Sequence, residues 1–188
     1  MKQFNFKRIQ KLKKSLEADR IVLDSKADEA RRQAKLAIFA LQRHEAGRAK
    51  DCLKQSKGLI GFCLALVKRR PLLAGESGWK SALEEFTEAH LFETYLRGHL
   101  SVPVEAENHP DVVLGALSDL AGEIARYSIL RATERDRKAI EEAHHTVLKI
   151  VDMLAALDLT GSLRSKFDQT KQHLRKIEDI RYDLSKKD

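Results

Sequence analysis

Two pairs of carboxylates are the residues of this chain best placed to do chemistry. Glu85 and Glu88 are three apart, so on a helix they share a face with Ala89, Phe92, Tyr95 and Leu96. A carboxylate set in an apolar stripe is costly unless it is paired, hydrogen-bonded or metal-bound. Glu84 and Glu93 fall off that stripe and read as ordinary surface acids. Asp119 and Glu123 are four apart on the next helix, at the edge of an apolar face carrying Val112, Ala116 and Leu130. Two helices that each offer a close acid pair can bring up to four carboxylates together. Oxygen donors of this kind suit Mg²⁺, with Mn²⁺ as the second choice. A cation held there would activate water and stabilise the leaving oxygen in phosphodiester hydrolysis. The same spacings are common on helix surfaces where Arg and Lys satisfy them, so spacing alone leaves both readings open.

Other constellations point elsewhere or nowhere. Glu141-Glu142-Ala143-His144-His145 contains two overlapping ExxH spacings, but a ferritin-like centre needs ExxH on two helices and the chain has no second one. His144 shares a face with Ile140, Val147 and Val151 and reads as a core histidine. Cys52 and Cys63 lack metal or redox spacing and read as free thiols in a reducing, cytoplasmic setting. No glycine-rich phosphate loop, Ser-His-Asp or Cys-His arrangement competes.

The elements that must position the acids are helices. Three Pro, nine Gly, 6% aromatics and abundant Ala, Leu, Lys, Glu and Arg favour an all-α fold in a single domain spanning 1–188. Mean hydropathy is −0.43, no uncharged apolar run could span a membrane, and the first residues lack a signal-peptide core. Residues 1–46 contain no Gly or Pro, and Ile9, Leu12, Leu16, Leu23, Ala27, Ala30, Ala34, Ile38 and Leu41 recur mostly three, four or seven apart. The spacing predicts one helix of about 38 residues and roughly 55–60 Å, too long for a compact monomer to cover. Further helices are predicted over 45–69, 77–97, 111–130, 133–157 and 162–184, with Thr133 capping the fifth. Net charge is +7, and the first 50 residues hold 14 Lys/Arg against 6 Asp/Glu. That asymmetry fits an anionic partner, most simply nucleic acid, or a solvated basic face. Arg20, Arg31, Arg32, Lys35, Arg43 and Lys80 are the candidate backbone contacts.

Several segments resemble the translin superfamily, and in particular its catalytic Trax branch. The last 26 residues, with Leu163-Arg164-Ser165-Lys166-Phe167-Asp168, Lys171, Leu174-Arg175-Lys176-Ile177-Glu178-Asp179-Ile180 and Tyr182-Asp183-Leu184-Ser185, resemble its terminal helix. Leu83-Glu84-Glu85-Phe86-Thr87-Glu88-Ala89 and Phe92 resemble Trax in placing an aromatic between two Glu. The run from Asp111 to Arg126, with Asp119 and Glu123, is similar to Trax throughout. Trp79-Lys80 resembles the Trp-Arg that opens the same helix in translin, and Lys35, Ile38-Phe39, Leu41 and Arg43 resemble the Trax first helix. The chain is shorter than eukaryotic members around 98–110 and 131–136, as in compact prokaryotic-type members.

The resemblance implies a bundle of six to seven antiparallel helices with a long first helix. It implies a hollow homo-oligomer, an octamer or hexamer, that binds single-stranded RNA (single-stranded DNA being the second ligand) on its inner wall. It further implies Mg²⁺-dependent endoribonuclease activity. Glu85, Glu88 and Asp119 would hold the metal, with Glu123 as a fourth ligand or an acceptor for metal-bound water. The competing expectations are a non-catalytic nucleic-acid-binding oligomer like translin, which lacks the upstream acid pair, and a helical scaffold whose acids are only salt-bridged.

Overall fold

The computed structural model describes residues 6–186, in which six α-helices and one 3-10 turn account for all regular structure. Helix α1 spans Phe6–Gln42, α2 Ala46–Arg69, α3 Ser77–Leu96, α4 Pro110–Thr133, α5 Arg137–Ala155 and α6 Gly161–Ser185; Pro71–Leu73 form the 3-10 turn. Local chemistry sets these limits. Pro71 and Pro110 sit where a missing N–H costs nothing, at the starts of the turn and of α4. Gly98, at φ 86°, lets the chain turn back at the end of α3, where His99 N donates to Thr94 O at 3.1 Å. Thr133 is not the cap of α5. It ends α4, its hydroxyl donating to Leu130 O, and the cap is Asp136, which accepts from Ala139 N at 3.0 Å.

Contacts along the helices fix their directions. Arg70 reaches Asp19 while Ser56 donates to Ala30 O, so α2 runs back along α1. Arg181 pairs with Glu141 and His144 faces Glu178, so α6 runs back along α5. The α3–α4 pair departs from the antiparallel expectation. Trp79 meets His109 at one end and Phe92 meets Tyr127 at the other, so the two helices run the same way. The 13 residues 97–109 make this possible by returning along the bundle. A helix of 20 residues is about 30 Å long, and 13 extended residues reach about 45 Å. Ala106 is fully buried within this crossover, and Glu105 pairs with Lys57 of α2 at 3.3 Å. Arg20 beside Glu76 and Lys35 beside Glu85 place α1 parallel to α3, and Lys166 beside Asp119 with His173 beside Gly122 places α6 parallel to α4.

The core is filled by Trp79, Leu83, Phe86 and Phe92 of α3, Leu120 and Ile124 of α4, and Ile140 and Ile150 of α5. On α1 the predicted stripe is buried from Leu23 onward, and Ala27, Ala30, Ala34 and Ala37 are at most 1% exposed. Small residues there let α2 approach closely enough for the Ser56 bond to the Ala30 carbonyl, at 2.9 Å. The stripe continues to Leu12 and Ile9, but these are 54% and 48% exposed. Arg70 at the end of α2 reaches only Ser15 and Asp19, so the first turns of α1 extend past their neighbour.

Ala30→Leu is therefore expected to force α1 and α2 apart and destabilise the fold by about 1–3 kcal/mol. Chemical denaturation would show a lower midpoint with an unchanged slope; an unchanged midpoint would mean that the interface has slack.

Candidate functional site

Four helices that run in the same direction converge on one polar region. Helix α3 contributes Glu84, Glu85 and Glu88, α4 contributes Asp119 and Glu123, α1 contributes Lys35 and Gln42, and α6 contributes Lys166 and His173. All four acids expected from the sequence are in or beside this region. Of the acids Glu88 lies deepest: it is 8% exposed and, among the described residues, its side chain makes no hydrogen bond or ion pair. Glu85, one helical turn earlier, has its side chain 19% exposed and Lys35 Nζ at 3.6 Å.

The α4 acids are held from other helices. Gln42, the last residue of α1, donates from Nε2 to the Glu123 carboxylate at 2.9 Å and to the Glu123 carbonyl at 3.0 Å. Arg126 approaches the same carboxylate at 3.6 Å. Lys166 of α6 donates to Asp119 Oδ2 and, at 2.8 Å, to Glu84 Oε1. Glu84 is thus no isolated surface acid: it shares an ammonium with Asp119. Its position depends on Gly115, where an added Cβ would lie 2.2 Å from Glu84 Oε2. Two turns further along the same face of α4, Gly122 makes room for the His173 ring, whose Nε2 would lie 3.2 Å from an added Cβ.

Electrostatics single out Glu88. Burial, and then the charges of Asp119, Glu85 and Glu123, push its carboxyl from an ordinary 4.5 up to about 9, against a weaker pull from Lys166. Glu85 is also raised, by burial first, with Lys35 opposing. Burial lowers the Lys166 ammonium but the bonds to Asp119 and Glu84 outweigh it, leaving the group raised. Burial and Lys176 lower His173, with Asp119 and Glu123 opposing.

Glu88 is thus a buried carboxyl with no partner of its own beside three further acids. Among the described residues, no three His, Cys, Asp or Glu side chains stand together as a ready coordination sphere. The oxygen-only chemistry of the set nonetheless fits a hard divalent cation. Asp119 and Glu85 are meanwhile occupied by Lys166 and Lys35.

The six candidate backbone contacts divide into two groups. Arg32, Arg43 and Lys80 are exposed and make no ion pair. Arg20 is bonded to Glu76 and Glu17, Arg31 to Asp28, and Lys35 to Glu85. Sequence reasoning misses Gln42, Glu84 and Lys166 as parts of the region. The signal for Glu84 is Gly115, one turn before Asp119 on the same face of α4. Leu130, expected on the apolar face of α4, is 40% exposed. His144 is partly buried 3.6 Å from Glu178, between α5 and α6, and no second ExxH stands near it.

The family model described as Translin family matches residues 19–187. The crystal structure of apo-NeC3PO superposes with a TM-score of 0.85 at 19% identity, covering 98% of this chain and 99% of that one. AfC3PO gives 0.85 at 21% identity, covering 97% of each chain. The AfC3PO–duplex RNA complex gives 0.77 at 19% identity, with the same coverage. No curated protein matches the chain. At these identities the structural likeness establishes the shared fold.

The Glu88 shift has a consequence for stability without metal. The folded state holds this proton more tightly than the unfolded chain, so stability is full below about pH 4.5 and is lost as pH rises towards about 9. In EDTA, wild type should lose stability relative to Glu88→Gln across that window, by at most about 1.4 kcal/mol per pH unit. Urea denaturation at several pH values tests this, and a difference that does not change with pH would refute the assignment.

Proposed function

The chain belongs to the translin family, and from that premise we propose that it is a metal-dependent endoribonuclease acting as a homo-oligomer. The observation that carries this reading is Glu88: a carboxyl 8% exposed, without a partner, and repelled by Glu85, Asp119 and Glu123. A structural role alone gives no reason to bury an acid beside three others. Glu85, Glu88 and Asp119 are assigned to hold Mg²⁺ or Mn²⁺, with Glu123 as a fourth ligand or an acceptor for bound water. Such a cation, when bound, supplies an acidified water and neutralises charge on the phosphate.

The remaining work falls to the chain. Gln42 Nε2 fixes Glu123 by donating to both the Glu123 carboxylate and the Glu123 backbone carbonyl. Arg32, Arg43 and Lys80 hold the RNA backbone through charge, an interaction blind to sequence. AfC3PO has been crystallised with duplex RNA, which supports RNA as the ligand class; single strands are the proposed substrate. The apolar residues that α1 leaves exposed, including Ile9 and Leu12, support assembly with further copies. An RNA-binding oligomer without catalysis is the second reading. It is favoured by Lys35 and Lys166, which already neutralise Glu85 and Asp119.

Cleavage of a short end-labelled single-stranded RNA, with a duplex alongside, separates the two. Cleavage in Mg²⁺ that stops in EDTA, and falls at least about 100-fold in Glu88→Gln and Asp119→Asn with affinity retained, is the expected result. Salt-sensitive binding without cleavage would select the second reading. Replacing Arg32, Arg43 and Lys80 together by Gln should weaken RNA binding and flatten its log–log salt dependence by about 2.

A further inference from the structure

The bridge from Lys166 to both Glu84 and Asp119 has no role in the reading above, yet the fold builds it with care. Lys166 comes from α6, Glu84 from α3 and Asp119 from α4, so three helices must be in register for it to form. Gly115 clears the space for the Glu84 carboxylate, since any Cβ there would overlap it. Glu84 lies off the stripe of Glu85 and Glu88, and its bond to Lys166 anchors the ammonium at the rim.

The accessibility of the three groups is the second observation. The side chains of Lys166, Glu84 and Asp119 are 24%, 27% and 32% exposed. Water reaches all three, so separating Lys166 from Asp119 strands no buried charge. Glu84 can keep the ammonium when Asp119 lets go. Glu88 lies behind them, buried and without a cation of its own.

We propose that Lys166 is a built-in counter-ion that occupies Asp119 in the metal-free protein and is displaced from it when a divalent cation binds, remaining tethered to Glu84. The inference rests on the metal-site reading above. It makes Lys166 a positioning residue that sets cation affinity and keeps the acid cluster folded when metal is scarce. A displaced ammonium at the rim also leaves a positive charge facing any phosphate that approaches the acids.

Two measurements on the full chain test it, both with Mn²⁺ as the probe. The first follows acylation of Lys166 in wild type by a water-soluble active ester, read by peptide mass spectrometry with and without Mn²⁺. Displacement predicts that Lys166 labels several-fold faster with Mn²⁺, while Lys176, which has no bond to Asp119, labels at an unchanged rate. The second is direct Mn²⁺ titration, with free ion read by its electron paramagnetic resonance signal. Lys166→Gln should bind Mn²⁺ about tenfold more tightly than wild type, and Lys166→Arg, which keeps the bridge, within about twofold. Lys176→Gln controls for loss of a nearby charge and should shift affinity less than Lys166→Gln. Mn²⁺ binding in wild type with no change in Lys166 labelling overturns the counter-ion role alone, even if Lys166→Gln fails to fold. No Mn²⁺ binding in any of the proteins overturns the metal-site reading, and the counter-ion role with it.

Discussion

The whole arrangement turns on one unfavourable act, the burial of the Glu88 carboxyl beside three other acids. Helix α3 is otherwise largely a core helix, with Trp79, Leu83, Phe86 and Phe92 at most 1% exposed. A neutral residue at 88 would fit that environment without cost. An acid there is tolerated because its proton is held far above the usual carboxylate range, and because polar groups from three other helices gather around it. Gln42, Lys35, Lys166 and the two glycines of α4 make sense as parts of that surround.

Topology explains how the surround is assembled. In an all-antiparallel bundle, α3 and α4 would face each other head to tail, and only residues near one matched level would meet. Here α1, α3, α4 and α6 share a direction, with α2 and α5 as the return strokes. Glu85 and Glu88 on α3 then keep pace with Asp119 and Glu123 on α4 along the same axis. The polar region is therefore a band running along the bundle, with Lys166 towards the start of α6 and Gln42 at the end of α1.

Much of this is legible in the sequence. Helical spacing locates all six helices to within a few residues, because Pro71, Pro103, Pro110, Gly75 and Gly98 mark breaks or helix starts, although Gly58, Gly61, Gly115 and Gly122 lie inside helices. The apolar neighbours of Glu85 and Glu88 mark them as unusual acids on spacing alone. What periodicity does not encode is which helix lies beside which. Glu84 reads as a surface acid because its partner is 82 residues away on α6, and no local pattern links the two. Direction is hidden for the same reason: nothing in residues 97–109 distinguishes a loop that reverses the chain from one that carries it back to its starting end. Thr133 is a plausible cap on local chemistry, but α4 extends through it and Asp136 takes the role.

That crossover also governs how the molecule must come together. The hairpins α1–α2, α4–α5 and α5–α6 are joined by short turns, so their contacts can build outward from the turn with little further loss of chain entropy. The α3–α4 pair shares no such shortcut. Its register is fixed only after residues 97–109 have closed, with Ala106 buried and Glu105 tied to Lys57 on α2. The acid band also depends on contacts far apart in the chain, Gln42 with Glu123 across 81 residues and Lys166 with Glu84 across 82. A partly folded molecule can have most of its helices and still lack a site, so helix content is a poor gauge of competence in this fold.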